Sequence, residues 1–408
     1  MVNVVFVAPY FGSTIVHCLS VLSALEDVRL GIISHEPEER VPQALRKHLS
    51  GHYQVAETLD PDQLILGARA FQKEWGQVDR LLGYLEQMQL PLAQAREALG
   101  IPGMRSEVAR RFRDKNRMKE VLAQAGLPVA RQARVTGAED ARRFVAQVGY
   151  PVVLKPLAGL GTKDTLRVST DPELYSALNR LLPSRQAPAQ AEEFISGKEF
   201  TFETVSVDGQ AVWHSSTYYL PGPLEVVENP WMQYCVLLPR ERLGPQAEAF
   251  RPLNVRALEA LGMGTGLTHM EWFLRADGSP VISEVAARPP GVNIMMMNEV
   301  AHQADLWARW ARVMVHGTFD MPERQWASGC AFLRGSGPGR VVARVEGLQE
   351  VLEQLGDGLV RATTPKVGQP RSTHYEGEGW VLVRARETEQ VVAQLKRVIT
   401  ETRISYTS

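Results

Sequence analysis

Cysteine is scarce in this sequence. The 408 residues include three cysteines, Cys18, Cys235 and Cys330, which lie far apart and form no CxxC pair. This spacing argues against a disulfide framework and against a zinc cluster built from paired cysteines. The thiols are expected to be buried, or free in a reducing compartment.

An excess of one charge and long apolar runs are also lacking. The formal net charge is −1, which gives no reason to expect a nucleic-acid partner or electrostatic attachment to a membrane. No apolar run approaches the roughly 20 residues that a membrane helix needs. The apolar stretch at residues 4–7 is too short for a secretory signal and has no basic flank. We therefore expect a cytoplasmic protein with neither nucleic-acid nor membrane partners.

The chain is long enough for two or three domains. Strand patterns at residues 3–8 and 28–34 flank a helical pattern at 13–25, and this βαβ rhythm predicts a small parallel sheet. Residues 9–12 (PYFG) are not a dinucleotide fingerprint, so this lobe is expected to be structural. Pro102 and Gly103 mark a plausible boundary after it.

The rest of the chain predicts a mixture of α/β and α+β units. Residues 106–125 read as one amphipathic helix, stopped by Gly126 and Pro128. Strand patterns at 151–155, 165–169, 189–195, 199–207 and 211–217 favour antiparallel pairing. From about residue 313 a small α+β cap is expected. The predicted domains are 1–105, 106–312 and 313–408.

The most informative segment is a predicted hairpin in residues 268–284. Two strand patterns flank Asp277-Gly278, a strong hairpin signal. With a two-residue loop, Glu271 lies opposite Glu284, and His269 shares their face. Opposed carboxylates repel, and a divalent cation with phosphate oxygens removes that conflict. A different register, or two solvated carboxylates, is the alternative interpretation.

Two further segments indicate a nucleotide site. A buried strand ends in Lys155 and is followed by a glycine-containing loop with Gly159, Gly161 and Thr162, whose backbone N–H groups could approach phosphates. The loop is not a P-loop and could be an ordinary turn. The run from Glu192 to Ile195, followed by Glu199, offers acceptors for an adenine amino group or for ribose hydroxyls, although a solvated acidic turn is the commoner meaning of such a cluster.

Taken in order, these segments resemble the ATP-grasp superfamily of carboxylate–amine ligases over residues 112–293, and they look closest to its L-amino acid and dipeptide ligase branch. The resemblance implies an N-terminal α/β pre-ATP-grasp lobe, an ATP-grasp fold with a small lobe at about 125–195 and a large lobe at about 196–312, and a C-terminal α+β cap. It also implies ATP and Mg²⁺ as cofactors, with Mn²⁺ able to substitute.

The resemblance assigns roles to individual residues. Lys115 and Lys155 would bind phosphates under a flap formed by Gly159, Gly161 and Thr162. Glu192 would accept from the adenine amino group, with the backbone of Glu193, Phe194 and Ile195 along the ring, and Glu199 would hold the ribose. Glu271 and Glu284 would ligate the metal, and Arg288 would stabilise the transferring phosphoryl group and the acyl phosphate.

The sequence departs from the family pattern after the second carboxylate. Many relatives read Glu-x-Asn-x-Arg, with the asparagine completing the metal site, whereas this chain has Ala286 at that position. In place of the asparagine, the metal site could rely on water, on bridging by Glu284, or on Asn293. Pro289 and Pro290 stand where a glycine pair is usual and stiffen the loop.

Two histidines and one segment complete the expectations. His269 lies diagonal to Glu284 and is a candidate for contact with phosphate or substrate, or a packed histidine beside the site. A turn at Asp208-Gly209 would place His214 opposite Glu203. Residues 218–238 are rich in proline and aromatic residues and are expected to shape the substrate pocket.

The predicted function is an ADP-forming ligase. It would activate a carboxylate, such as an amino acid, as an acyl phosphate and couple it to an amine. Carboxyphosphate chemistry of the biotin-carboxylase kind, ATP binding without turnover, and kinase-like chemistry on the same fold are the alternatives. The partners implied are a small-molecule carboxylate and an amine. A homodimer is one candidate assembly, and the sequence does not choose an oligomeric state.

Overall fold

The computed structural model describes residues 1–157, 165–229, 231–241, 244–374 and 376–407. The predicted flap residues Gly159, Gly161 and Thr162 therefore lie outside the described residues. Within the described ranges, no helix is both long and apolar enough to cross a membrane.

The N-terminal part is a parallel sheet covered by helices. Its strands are β1 (Val2–Ala8), β2 (Val28–Ser34), β3 (Gly51–Gln54) and β4 (Arg80–Leu82), ordered β3-β2-β1-β4. Its helices are α1 (Ser13–Ser23), α2 (Gln43–Arg46), α3 (Pro61–Trp75) and α4 (Gln89–Leu99), with short 3₁₀ turns at Glu38–Arg40 and Glu86–Met88. All the strand pairs are parallel, which confirms the predicted βαβ arrangement.

The segment predicted as one helix at 106–125 is two helices, α5 (Ser106–Arg113) and α6 (Lys115–Gln124). Asp114 leaves the helical region (φ −93°, ψ 106°), and its carboxylate accepts from the backbone N–H groups of Asn116 and Arg117 at 2.9 and 3.0 Å. A capping aspartate of this kind satisfies N–H groups that a helix start leaves free. The single-helix prediction was wrong, and the break places Lys115 at the first position of α6.

A small antiparallel sheet follows. It contains β5 (Gln132–Val135), β6 (Val152–Pro156), β7 (Leu166–Val168) and β8 (Ala189–Glu193), ordered β5-β8-β6-β7 and packed against α7 (Ala138–Val148) and α8 (Asp171–Leu181). β6 lies between β8 and β7. Lys155 and Glu192, from neighbouring strands, are therefore held on a common scaffold.

A nine-stranded sheet forms the largest part of the molecule. Its main path is β14-β13-β9-β11-β12-β15-β18-β17, and β10 pairs with β9. The strands are β9 (Lys198–Val207), β10 (Gln210–Ser215), β11 (Tyr218–Leu220), β12 (Tyr234–Leu238), β13 (Gly266–Leu274), β14 (Pro280–Ala286), β15 (Ala327–Leu333), β17 (Leu359–Thr363) and β18 (Gly379–Ala385).

Helices cover this sheet, and a two-stranded ribbon lies beside it. The helices are α9 (Pro223–Glu228), α10 (Pro245–Leu261), α11 (Ile294–His302), α12 (Leu306–His316), α13 (Leu348–Leu355) and α14 (Thr388–Glu401), with a 3₁₀ turn at Gly356–Gly358; the ribbon pairs β16 (Val341–Glu346) with β19 (Arg403–Thr407). Because β15, β17 and β18 extend the central sheet, the boundary expected near residue 313 does not separate two sheets.

The hydrophobic core under β9 and β13 fixes the floor of the candidate site. Trp272 is fully buried, and its ring stacks on Phe250 with centroids 4.0 Å apart and on Phe200 at 4.7 Å. Residues alternate across a strand, so the buried Met270 and Trp272 leave His269, Glu271 and Phe273 on the opposite face of β13.

Candidate active site

The hairpin β13–β14 places Glu271 directly opposite Glu284, as the sequence predicted. The route to this register differs from the prediction. The loop has three residues, 276–278. The Arg275 N–H donates to the Ser279 carbonyl at 3.0 Å, and Leu274 pairs with Pro280. A bulge at Ser283 then restores the predicted pairing. The prediction of a two-residue loop was wrong. The longer loop and the bulge shift the register in opposite directions, so Glu271 still pairs with Glu284.

One cavity of about 720 Å³ contains almost all of the predicted site. The predicted residues that line it are Lys115, Lys155, Glu192, Glu193, Phe194, Ile195, Glu199, His269, Glu271, Glu284 and Arg288. They come from the small sheet, from α6, from β9 and from the hairpin. The fold thus brings together groups spread over 174 residues of sequence, from position 115 to position 288.

The lysines are held by carboxylates in this cavity. The Lys115 ammonium contacts Glu284, and the Lys155 ammonium lies 3.0 Å from Glu192. Burial opposes ionisation of Glu284, but the Lys115 and Lys155 ammonium groups outweigh it and lower the pKa of Glu284 to about 2. Glu284 is therefore an ionised carboxylate that can ligate a metal, and the two ammonium groups beside it can bind charged phosphates.

Glu192 has a second partner that the sequence analysis missed. Lys119 lies on α6, is fully buried and places its ammonium 2.5 Å from the same Glu192 oxygen that Lys155 contacts. Burial favours the neutral acid, yet Lys119 and Lys155 together lower the pKa of Glu192 to about 2. Burial also lowers the pKa of Lys119 to about 8. One oxygen of Glu192 is committed to these ammonium groups, and its predicted contact with adenine stays a prediction.

His269 bridges two carboxylates. Its Nδ1 lies 2.9 Å from Glu203 and its Nε2 lies 3.6 Å from Glu271. Burial alone would favour neutral imidazole, but the hydrogen bond to Glu203 and the nearby Glu271 carboxylate raise the pKa of His269 to about 9. The imidazole is therefore a cation at neutral pH. His269 pairs with Ala286, two residues along the hairpin from the pair formed by Glu271 and Glu284.

The prediction that His214 opposes Glu203 was wrong. A bulge at Val212 in β10 shifts the register, so His214 pairs with Thr204 and its Nδ1 lies 3.2 Å from the Thr204 hydroxyl. Glu203 is thereby left to His269 on the neighbouring strand β13.

Arg288 is oriented by a buried carboxylate from the N-terminal part. Glu86, in the 3₁₀ turn after β4, accepts from Arg288 Nε at 2.7 Å and from Arg113 Nη1 at 2.6 Å. Burial opposes charge, but Glu86 holds the pKa of Arg288 above its ordinary value. Neither Glu86 nor Arg113 was found from sequence, since 202 positions separate Glu86 from Arg288 and no motif marks it.

The predicted adenine-binding run, Glu193–Ile195, lines the cavity and is held by arginines. Glu193 is paired with Arg131 and with Arg275, the latter at 2.9 Å, and Arg167 lies over the Phe194 ring at 4.3 Å. Glu199 is half-buried, and burial together with the Glu271 charge raises its pKa. Residues 218–225 line this side, in line with the predicted pocket segment, whereas Trp231 is exposed.

Ala286 occupies the position at which many relatives carry the metal-site asparagine. Ala286 lines the cavity and pairs with His269 across the hairpin. Asn293 is not among the described residues that line this cavity, and its amide donates to the Cys330 thiol at 3.3 Å. Among the open substitutes, Asn293 is therefore disfavoured, and bridging by Glu284 or water remains.

The site thus combines a sheet-borne carboxylate pair, two cavity lysines and a carboxylate-held arginine, which are the kinds of group that phosphoryl transfer uses. Residues 120–295 match the family model described as the ATP-grasp domain. The chain therefore contains an ATP-grasp domain.

The relatives named as ligases are similar to this chain over part of their length. The alanine–anticapsin ligase of Bacillus subtilis (strain 168) is 27% identical over 231 residues, which is 50% of this chain and 47% of the relative. The L-arginine-specific L-amino acid ligase of Bacillus subtilis is 26% identical over 246 residues, 59% of each chain. The match therefore spans about half the length of these relatives.

The fold similarity extends over the whole chain. The crystal structure of an L-amino acid ligase from Bacillus licheniformis superposes with a TM-score of 0.75, covering 100% of this chain and 99% of the other at 20% identity. This likeness establishes the ATP-grasp fold for the molecule, including the flanking parts that the family model does not match.

Proposed function

We propose that the chain is an ATP- and magnesium-dependent, ADP-forming ligase that joins a small-molecule carboxylate, such as an amino acid, to an amine. The observation that carries the proposal is the pairing of Glu271 with Glu284 at the wall of one cavity that also contains Lys115, Lys155 and Arg288. The similarity to named amino acid ligases supports the same reaction class.

The residues fit a divalent cation. Two opposed carboxylates on one hairpin repel unless a cation lies near them, and in this structure Lys115 and His269 supply the positive charge. Glu271 and Glu284 would hold Mg²⁺, or Mn²⁺ in its place, since carboxylate oxygens are the ligands these ions prefer. When bound, the metal would neutralise phosphate oxygens and polarise the transferring phosphoryl group.

The reaction needs no protein nucleophile. An oxygen of the substrate carboxylate attacks the γ-phosphorus of ATP, the bond to the β-phosphate oxygen breaks, and ADP leaves. The amine nitrogen then attacks the acyl carbon, and inorganic phosphate leaves as the amide forms with loss of a proton. Lys115 and Lys155 neutralise phosphate charge, while Arg288, held by Glu86, faces the negative charge that develops on the acyl phosphate.

The parts of the chain take distinct roles in this proposal. The small lobe (about 125–195) and the large lobe (about 196–312) enclose the nucleotide, with Glu199 near the ribose and Glu193–Ile195 along the adenine. Residues 1–105 contribute Glu86 to the arginine, and residues 313–408 extend the sheet. The cytoplasmic location, a homodimer and the roles of Gly159, Gly161 and Thr162 stay predictions.

The proposal is tested by ADP release with ATP and Mg²⁺ across a panel of amino acids, singly and in pairs, with mass detection of products. A pair that releases ADP and yields a product with the mass of the two minus water establishes the ligase and names its substrates. ADP release that depends on bicarbonate alone would favour carboxyphosphate chemistry. ATP binding with no turnover under any condition would refute the enzyme.

A further inference from the structure

A second cavity of about 490 Å³ shares Arg288 with the first cavity, but the predicted phosphate-binding lysines do not line it. It is formed where the edge of the N-terminal sheet meets the start of β13. Its walls are the segment after β4, the linker at 102–105, the loop at 262–266 and the inner face of α12. Arg288 lines both cavities, so this space adjoins the candidate active site without being part of the nucleotide cavity.

The wall of this second cavity is strongly cationic. The guanidinium-bearing residues that line it are Arg80, Arg96, Arg105 and Arg288. Among the described lining residues the carboxylate is that of Asp208, and it already accepts from the Thr265 hydroxyl at 3.2 Å. Because Glu86 already pairs with Arg288, the guanidinium groups of Arg80, Arg96 and Arg105 face the single carboxylate of the described lining residues, and this excess of positive charge attracts anions.

Arg96 is the most telling of these residues. Its side chain is 5% exposed, and Nη1 donates to the Leu81 carbonyl at 3.3 Å. Its Nε and Nη2 have no hydrogen-bond partner among the described residues. A buried cation without acceptors is costly, and arginine forms strong bidentate bonds with carboxylate and phosphate. Arg96 thus lines the cavity and carries buried N–H groups without an acceptor among the described residues.

The remaining guanidinium groups differ in exposure and anchoring. Arg105 lines the cavity and is exposed to solvent, so it lies at the mouth. Arg80 is anchored to the backbone by a bond of 3.2 Å from Nε to the Met314 carbonyl. Arg288 also lines the first cavity and is paired with Glu86. A small anion entering at Arg105 would meet Arg80 and Arg96 on the cavity wall.

We propose that this second cavity is a binding site for a small molecule bearing a carboxylate or a phosphate. The proposal goes beyond the ligase reaction and does not require it. The anion could be a group on one of the substrates, brought next to Arg288, or a free effector, and both sources present the same chemistry to the arginines.

The chain offers a clean way to fill the cavity. Gly264 lines it, has no positive φ, and a Cβ added there meets nothing within 4 Å. Gly264→Phe adds a bulky side chain at the cavity wall without backbone strain, and Gly264→Ala is the matched control. Arg105→Gln removes charge at the mouth. Arg110→Gln is its control, because Arg110 is also exposed, lies on the same segment and does not line the cavity.

The experiment is thermal unfolding with inorganic phosphate or acetate as the probe, against sodium chloride at the same ionic strength. The expected result is a rise in Tm on the order of 2–4 °C at a probe concentration well above the dissociation constant. The rise should be kept in Gly264→Ala and Arg110→Gln, reduced in Arg105→Gln and lost in Gly264→Phe. An equal rise in Gly264→Phe and wild type, or no rise in wild type, overturns the proposal.

The source of the anion is separated by kinetics once a substrate pair is known. If the cavity holds a substrate group, Gly264→Phe raises KM for that substrate about tenfold or more while KM for ATP stays unchanged, because charge-assisted bonds are lost. If it holds an effector, substrate KM values stay as in wild type and the response of the rate to the added anion disappears. Absence of ligase activity leaves the Tm experiment intact, so the two proposals fail separately.

Discussion

Glu86→Gln is the sharpest test of how Arg288, the proposed catalytic arginine, is held. Glu86 is a positioning residue from the N-terminal part, and its carboxylate binds Arg288 at 2.7 Å and Arg113 at 2.6 Å. The amide of glutamine has nearly the same shape but carries no charge and has one acceptor oxygen in place of two. Both guanidinium groups then lose their anionic partner.

The size of the effect follows from burial. Side-chain exposure is 8% for Glu86, 18% for Arg113 and 22% for Arg288, so solvent replaces the lost bonds poorly. Removing one partner of a buried ion pair costs about 3–5 kcal/mol of folding stability. The bond to Arg288 is a charge-assisted hydrogen bond, worth roughly 1.5–3 kcal/mol, so kcat should fall by about 10- to 100-fold.

Two measurements separate positioning from simple destabilisation. Urea unfolding gives the stability change, and ADP release with the identified substrates gives kcat and KM. Arg113→Gln should lose stability yet keep most of kcat, because Glu86 still holds Arg288. Glu74→Gln is the surface control, since Glu74 is 59% exposed and pairs with Arg29 at 3.2 Å; its stability should change by less than about 0.5 kcal/mol. Equal kcat in Glu86→Gln and wild type would refute the reasoning.

Three further predictions concern acid stability, the metal site and the core. The pKa of Glu192 is about 2 in the folded protein, below the roughly 4.3 of an unfolded glutamate. Its ionised form therefore contributes about 3 kcal/mol of folding stability above pH 5, which is lost as pH falls towards 2. The stability measured by urea unfolding should fall less steeply with acid in Glu192→Gln than in wild type, and identical slopes would contradict this. Ala286→Asn restores an amide oxygen beside Glu284 and should lower the magnesium concentration for half-maximal ADP release several-fold, whereas an unchanged titration would make the departure irrelevant. Trp272→Ala should cost about 3–5 kcal/mol of folding stability because its ring is stacked and fully buried. Trp231→Ala is the control, since Trp231 is 57% exposed. Similar losses of stability in both variants would refute the packing argument.

The sequence carried much of the fold and site because their signals were local or periodic. The parallel N-terminal sheet, the antiparallel middle and the existence of the β13–β14 hairpin follow from apolar periodicity and the Asp277-Gly278 turn signal. The exact pairings are less accessible, since a bulge adds a residue without a sequence signature. One bulge, at Ser283, restored a correct pairing, and another, at Val212, moved His214 to Thr204.

What sequence could not supply was contact between distant elements. Glu86 and Arg288 meet only because the 3₁₀ turn after β4 packs against the loop after β14. Lys119 looked like one more polar residue of an amphipathic helix. Asp114, by capping α6, turned the helix so that Lys119 is buried beside Glu192. A capping aspartate within a helical pattern was the signal that could have revealed the break.

The central claim is that the substrate carboxylate itself attacks ATP, and isotope transfer tests this most directly. The carboxylate substrate is labelled with ¹⁸O in both oxygens and turned over with ATP, Mg²⁺ and the amine, with Glu271→Gln as the blank. The account predicts ADP as the nucleotide product and one ¹⁸O atom in each inorganic phosphate released, because the acyl phosphate breaks at the acyl carbon. Amide formation with unlabelled phosphate, or with AMP and pyrophosphate, would contradict it.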